Sequence, residues 1–292
     1  MSVFKFKPFN DVSPMGSMEK LVKTERSSCD DKANSMISEL AAEDATLPSL
    51  DDADHDVEVM LASLGLQLIR RYIDQHHWTE ESRRAHAADK IEPGLKLENV
   101  AAHSWHVADS VMLLAPAFPE IDDRRALELA VIHDKLELFT GDFDPVGPNG
   151  DGSEAHAFDH DAREAKTKIE LAALEHYLAQ LRTPIRDRQR ELILESINSS
   201  SIESRFVKGV DKLQALIFVL AKKAGAMTDE HVAFSLRYSS KAVEFFPGLK
   251  IHYQVLVSRL LRLIADDRQI PVETLIASLP PRVRPIAVAA ER

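Results

Sequence analysis

"VIHDKLELFTGD", residues 131–142, sets His133, Asp134 and Glu137 among the apolar Val131, Ile132, Leu136, Leu138 and Phe139. It closes a predicted helix that opens at Asp122, a candidate N-cap, and stops at Gly141. Leu129, Ile132, Leu136 and Phe139 recur at spacings of 3, 4 and 3 and form one core stripe. Ala126, Ala130, His133 and Glu137 run beside it at 4, 3 and 4. In a regular helix His133 and Glu137 then stack one turn apart, with Asp134 about 100° round from His133. An imidazole or carboxylate buried without a partner costs several kcal/mol, so these groups call for pairing, hydrogen bonding or a metal ion. A cation over that helix edge would take His133 and Asp134, leaving Glu137 near the water it carries.

Two more helices carry matching groups. "VAAHSWHVADSVMLL" holds His103 and His106, and "RFVKGVDKLQALIFVLA" holds Asp211. In the latter, Phe206, Val210, Leu213, Ile217 and Leu220 form the core stripe, with Val207, Asp211, Gln214 and Phe218 alongside. Each group has a plain structural alternative: a hydrogen-bonded core histidine, an Asp211–Lys212 ion pair, a solvated Glu137. Taken together, a His, a His-Asp pair and an Asp on three core helices supply nitrogen and oxygen ligands for one divalent cation. Coordination positions remain for water and substrate.

The chain has 292 residues, 45% hydrophobic, and a net charge of −11. That balance argues against nucleic-acid and anionic-membrane binding, and a small anionic substrate would need a local basic pocket. Cys29 is the only cysteine, which excludes an intrachain disulfide and a cysteine-based zinc site. The opening residues lack a signal-peptide core, and no segment has the roughly 18 apolar residues of a membrane span, so a soluble, cytoplasmic protein is expected. Residues 1–55 read as an acidic, flexible arm, 56–270 as the main domain and 271–292 as a short helix and Pro-limited tail. Helices are predicted over 57–73, in "LENVAAHSWHVADSVMLLAPAF" and near 157–181, 186–199, 202–224, 229–245 and 250–266, with no confident strand. "DFDPVGPNGDGSEAHAFDHD", 142–161, reads as a loop bordering the site, its His156 and His160 as solvated capping residues.

"ENVAAHSWHVA", "IHDKLELFTGD" and "SSIESRFVKGVDKLQAL" together resemble successive blocks of the HD-domain phosphohydrolases. The nearest branch is that of the bacterial 5′-deoxynucleotidases and their eukaryotic HD-domain-containing relatives. The resemblance implies an all-α helical bundle whose metal ligands are His103, His133, Asp134 and Asp211. It implies that Glu137 is the catalytic carboxylate and Asp142 a second acidic residue that contacts substrate, with His106 packing behind. Arg71 followed by Tyr72 matches the family's Arg-Trp pair, which handles the phosphate and the sugar edge; Arg70, Arg83 and Arg84 stand as alternative phosphate ligands. The implied reaction is removal of the 5′-phosphate from (deoxy)nucleoside monophosphates with one divalent cation, which His and Asp ligands leave open among Mn, Co, Fe, Ni and Zn. The alternatives are a nucleoside triphosphate hydrolase or other HD phosphohydrolase, and a metal-binding regulatory protein of the same fold. A small nucleotide is the expected partner, and a homodimer is left open.

Overall fold

The computed structural model describes residues 69, 71, 98–147 and 149–291. The arm expected over 1–55, the first helix apart from Ile69 and Arg71, and Tyr72 with Arg70, Arg83 and Arg84 lie outside the described residues. What is described is all-α, with no strand among these residues: α1 Val100–Leu114, α2 Asp123–Ile132, α3 Glu137–Thr140, α4 His160–Leu178, α5 Thr183–Asn198 and α6 Ile202–Lys223. There follow α7 Asp229–Ser239, α8 Lys241–Phe245, α9 Lys250–Arg268, α10 Val272–Ser278 and α11 Arg284–Ala290. No described helix is long and apolar enough to cross a membrane.

The longest of these helices, α6, has 22 residues and is central. A capping box between Ser201 and Ser204 starts it, and Glu203 in its first turn and Lys222 and Lys223 in its last suit the helix dipole. It packs against α1, α2, α7, α8 and α9. Phe206, Val210 and Leu213 of one stripe read from its sequence and Val207, Gln214 and Phe218 of the other are buried there. Gly209 permits the close approach to α8, since a Cβ on it would lie 3.1 Å from the Ala242 carbonyl oxygen.

Local chemistry sets the starts of the neighbours. The Asn99 side chain accepts from the Ala102 N–H at 2.8 Å and begins α1, Asp122 accepts from the Arg125 N–H at 3.0 Å and begins α2 as expected, and Asp159 begins α4. Backbone bonds from Arg71 N–H to the Glu98 carbonyl (2.9 Å) and from Val100 N–H to the Ile69 carbonyl (3.1 Å) pin Ile69 and Arg71 beside the start of α1.

Three expectations need correction. The helix predicted from Asp122 to Gly141 is broken at His133–Leu136. There the His133 ring shares the Ala130 carbonyl at 2.7 Å, a carbonyl the regular ladder would give to Asp134. The bonds then tighten to i−3, from Lys135 to Ile132 and from Glu137 to Asp134. Ile132 and Leu136 stay buried, but Phe139 is 40% exposed, packing edge-on against His176. The helix predicted over 229–245 is divided at Ser240 into α7 and α8. The expected C-terminal tail forms α11, because Pro285 sits in a first turn, where its missing N–H costs nothing. Leu275, Leu279, Val283 and Ala287 there are fully buried in the same core as α9.

Candidate metal centre

The four residues singled out as ligands converge. His103 comes from the first turn of α1, His133 and Asp134 from the break after α2, and Asp211 from the middle of α6. His103 Nε2 lies 3.3 Å from Asp134 Oδ2, 3.2 Å from Asp211 Oδ1 and 3.3 Å from His133 Nε2. His133 Nε2 lies 3.1 Å from Asp134 Oδ2.

The outer atoms of these ligands are held from behind. His133 Nδ1 faces the Ala130 carbonyl at 2.7 Å, so it carries the proton and Nε2 presents a lone pair to the cluster. His103 Nδ1 lies 2.8 Å from Gln214 Oε1 and touches Arg71 Nη1. Gln214 Nε2 donates to Glu98 Oε1 at 2.8 Å and faces His106 Nδ1 at 3.2 Å. His106 is therefore packing behind the cluster, as read. Asp211 divides its oxygens: Oδ1 faces His103, while Oδ2 accepts from Lys212 Nζ at 2.7 Å. The Lys212 ion pair and the inward role are thus both present, and Lys212 is fixed further by the Tyr238 hydroxyl at 2.8 Å.

A divalent cation fits this arrangement. Donor atoms about 2.1 Å from a cation lie about 3.0 Å apart at right angles and about 3.4 Å apart at the tetrahedral angle, which brackets the separations seen. His103, His133 and Asp134 offer atoms all within 4.8 Å of one another. The electrostatics agree. Burial and the Arg71 charge press the His103 pKa down, yet hydrogen bonds to Asp134 and Asp211 override them and raise it to about 9. Asp134 and Asp211 are buried, which favours their neutral forms, but the cations around them hold both well below the usual carboxylate range. A cluster that draws a proton this strongly is short of positive charge.

Glu137 opens α3 beside the cluster, and its Oε2 is buried with no hydrogen-bond partner. Burial, then the charges of Asp134 and Asp142, push its pKa well up. Asp142 lies just past Gly141, whose φ of +70° ends α3 as expected. Burial raises the Asp142 pKa against the pull of Arg71. Arg71, Asp134, Glu137, Asp142 and Asp211 all line one cavity, which Leu216, Val219 and Phe234 also line. Arg71 is 8% exposed and also forms a 3.0 Å ion pair with Glu98. It is a neighbour of His103 as well as a wall of the cavity.

Sequence reasoning missed the supporting groups. Gln214 lies on the stripe that contains Asp211, one turn on, and that spacing is the signal for it. Glu98 carries no such signal. His156, expected to be solvated, lines the cavity instead. Burial, with Lys166 and Lys212 near, pushes its pKa down to about 3 and keeps it neutral. His160 is exposed, as read, but the cap of α4 is Asp159 rather than either histidine.

The HD domain family model matches residues 94–250, and the chain belongs to that family. It is 29% identical over 122 residues to the 5′-deoxynucleotidase hdd1 of Schizosaccharomyces pombe, covering 41% of this chain and 56% of that protein. It is 30% identical over 139 residues to the 5′-deoxynucleotidase HDDC2 of Xenopus laevis, covering 46% of this chain and 62% of the relative. The chain thus spans roughly three fifths of the length of these curated relatives. A solved structure of a "predicted metal-dependent phosphohydrolase" from Magnetospirillum magnetotacticum MS-1 superposes with a TM-score of 0.53 at 20% identity, covering 73% of this chain and 94% of that one. At that identity the likeness is one of fold.

Proposed function

We propose that the chain is a metal-dependent phosphohydrolase that removes the 5′-phosphate from nucleoside 5′-monophosphates, deoxyribonucleosides favoured. The observation that carries this reading is the convergence of His103, His133, Asp134 and Asp211 beside a carboxylate, Glu137, whose buried oxygen has no partner. The relatives named as 5′-deoxynucleotidases support the choice of substrate.

A divalent cation on the four ligands would polarise a phosphoryl oxygen and acidify a water beside it. Glu137 takes the proton of that water. Its raised pKa suits a base that works near neutrality once a neighbouring cation offsets Asp134 and Asp142. Arg71 sets a fixed positive charge at the cavity wall against the phosphate. Asp142 holds a proton more readily than an exposed aspartate and is placed to hand it to the leaving 5′-oxygen or to hold the sugar. The apolar wall around Leu216, Val219 and Phe234 receives the base. Tyr72 completes the proposal at the sugar edge.

A screen of 5′-phosphorylated nucleosides against several divalent cations, read by orthophosphate release, tests this. The expected result is release from a deoxynucleoside 5′-monophosphate that a chelator stops and added cation restores. Absence of release with every nucleotide and cation contradicts it.

A further inference from the structure

The cluster opens onto a second space as well, a groove of about 1590 Å³. Asp134, His156, Lys166, Asp211, Lys212 and Tyr238 line both spaces, so the two meet at the proposed metal ligands. Their other walls differ in kind. The cavity adds Leu216, Val219 and Phe234, whereas the groove adds Arg163, Arg205, Lys208 and Lys241 to the shared Lys166 and Lys212. In a chain of net charge −11 such a concentration of cations is unusual.

Little in the groove neutralises it. Glu170 pairs with Lys166 at 3.5 Å, and Asp211 pairs with Lys212. Among the described residues no carboxylate lies within ion-pair distance of Arg163, Arg205, Lys208 or Lys241, although the exposed Glu244 shares the groove wall. The cations are nonetheless held. Lys208 Nζ donates to the Ile197 carbonyl at 3.1 Å near the end of α5 and lies 5.8 Å from the centre of the Phe245 ring. Lys241 Nζ lies 4.9 Å from the Phe158 ring centre, and Arg163 Nε donates to the His156 carbonyl at 3.3 Å. Arg205, Lys208 and Lys212 follow one another at helical spacing along α6, a row on the order of 10 Å long. Burial first, then the charges of Lys212 and Lys166, press the Lys208 pKa down to about 8.

We propose that this groove is a second anion site, which takes a phosphoryl group in addition to the one at the cluster. Its ligands are small molecules carrying two or more phosphoryl groups, or the free phosphate that the reaction releases. The proposal rests on the function argued above only for the phosphoryl group at the cluster. Lysine and arginine donors gathered beside a candidate cation site suit phosphoryl oxygens.

The test uses the full chain and the variants Arg205→Gln with Lys208→Gln, together and singly, with Lys208→Arg as a charge-keeping control and metal content matched. Binding of inorganic tripolyphosphate is measured by calorimetry. The wild type and Lys208→Arg should bind it, and the double variant should bind about tenfold or more weakly, as expected for two lost charge-assisted contacts. Turnover of a deoxynucleoside 5′-monophosphate should stay within about twofold, since neither residue makes a hydrogen bond or ion pair with Glu137 or with the four proposed ligands. Inhibition by inorganic phosphate that weakens in the double variant assigns the groove to the released product. Unchanged phosphate inhibition with weaker binding of a deoxynucleoside 5′-triphosphate assigns it to a second phosphoryl group on the nucleotide. Equal tripolyphosphate binding by wild type and a folded double variant overturns the proposal. Binding that depends on the groove in a protein that hydrolyses no monophosphate overturns the proposed function and leaves the groove standing.

Discussion

Gln214 Oε1 lies 2.8 Å from Nδ1 of His103, while its amide nitrogen is committed to Glu98 at 2.8 Å and to His106 at 3.2 Å. One side chain of α6 therefore fixes the ring of a proposed ligand on α1. Gln214 and Arg71 both close on Nδ1, which leaves Nε2 as the ring nitrogen that faces the cluster.

Gln214→Leu keeps the volume but removes the bonds to His103, Glu98 and His106. Supporting groups of this kind typically carry about 10–100-fold in metal affinity, and that loss is expected here. Competition with a fluorescent chelator measures it. A Gln214→Leu protein that keeps full affinity would show that packing alone orients His103.

Cation binding should release protons. Without a cation, His103 titrates near pH 9 and is charged at neutral pH, whereas Asp134 and Asp211 are already ionised. The incoming cation takes the Nε2 lone pair, so His103 gives up its proton, with a further fraction from Glu137. Apparent affinity then rises with pH and levels off above about 9. Calorimetry at neutral pH in buffers of different ionisation enthalpy should report about one proton or more per cation. Heats independent of the buffer would place the cation elsewhere.

The site's scaffold depends on the turn between α6 and α7. Gly225 there has φ of +102°, and a Cβ on it would lie 2.3 Å from the Leu263 carbonyl oxygen of α9. Gly225→Ala joins backbone strain to a clash with main chain and should cost about 2–4 kcal/mol. Urea unfolding midpoints check this, and an unchanged midpoint would mean that the turn packs differently.

The helical stripes carried much of this structure in plain view. Asp211 was legible because a carboxylate bordering the row Phe206, Val210 and Leu213 has to be buried, and His103 because its helix is otherwise apolar there. The break at His133 was not legible, because no Gly or Pro marks it. It arises where a side chain takes a share of the Ala130 carbonyl, which is invisible to periodicity. His156 was misread for a related reason: it sits on a Gly- and Pro-rich loop whose course is set by tertiary contacts. The groove escaped because its cations come from α4, α6 and α8, far apart in a chain whose net charge is acidic.

The central claim is that Glu137 serves the water and the four ligands hold the cation. Phosphate release by Glu137→Gln, on preparations whose metal content and nucleotide affinity are measured alongside, tests it most directly. The amide keeps the shape but cannot take the proton, so turnover of a deoxynucleoside 5′-monophosphate should fall about 10²–10⁴-fold with cation and nucleotide still bound. Near-normal turnover, or loss of the cation in that variant, would contradict the account.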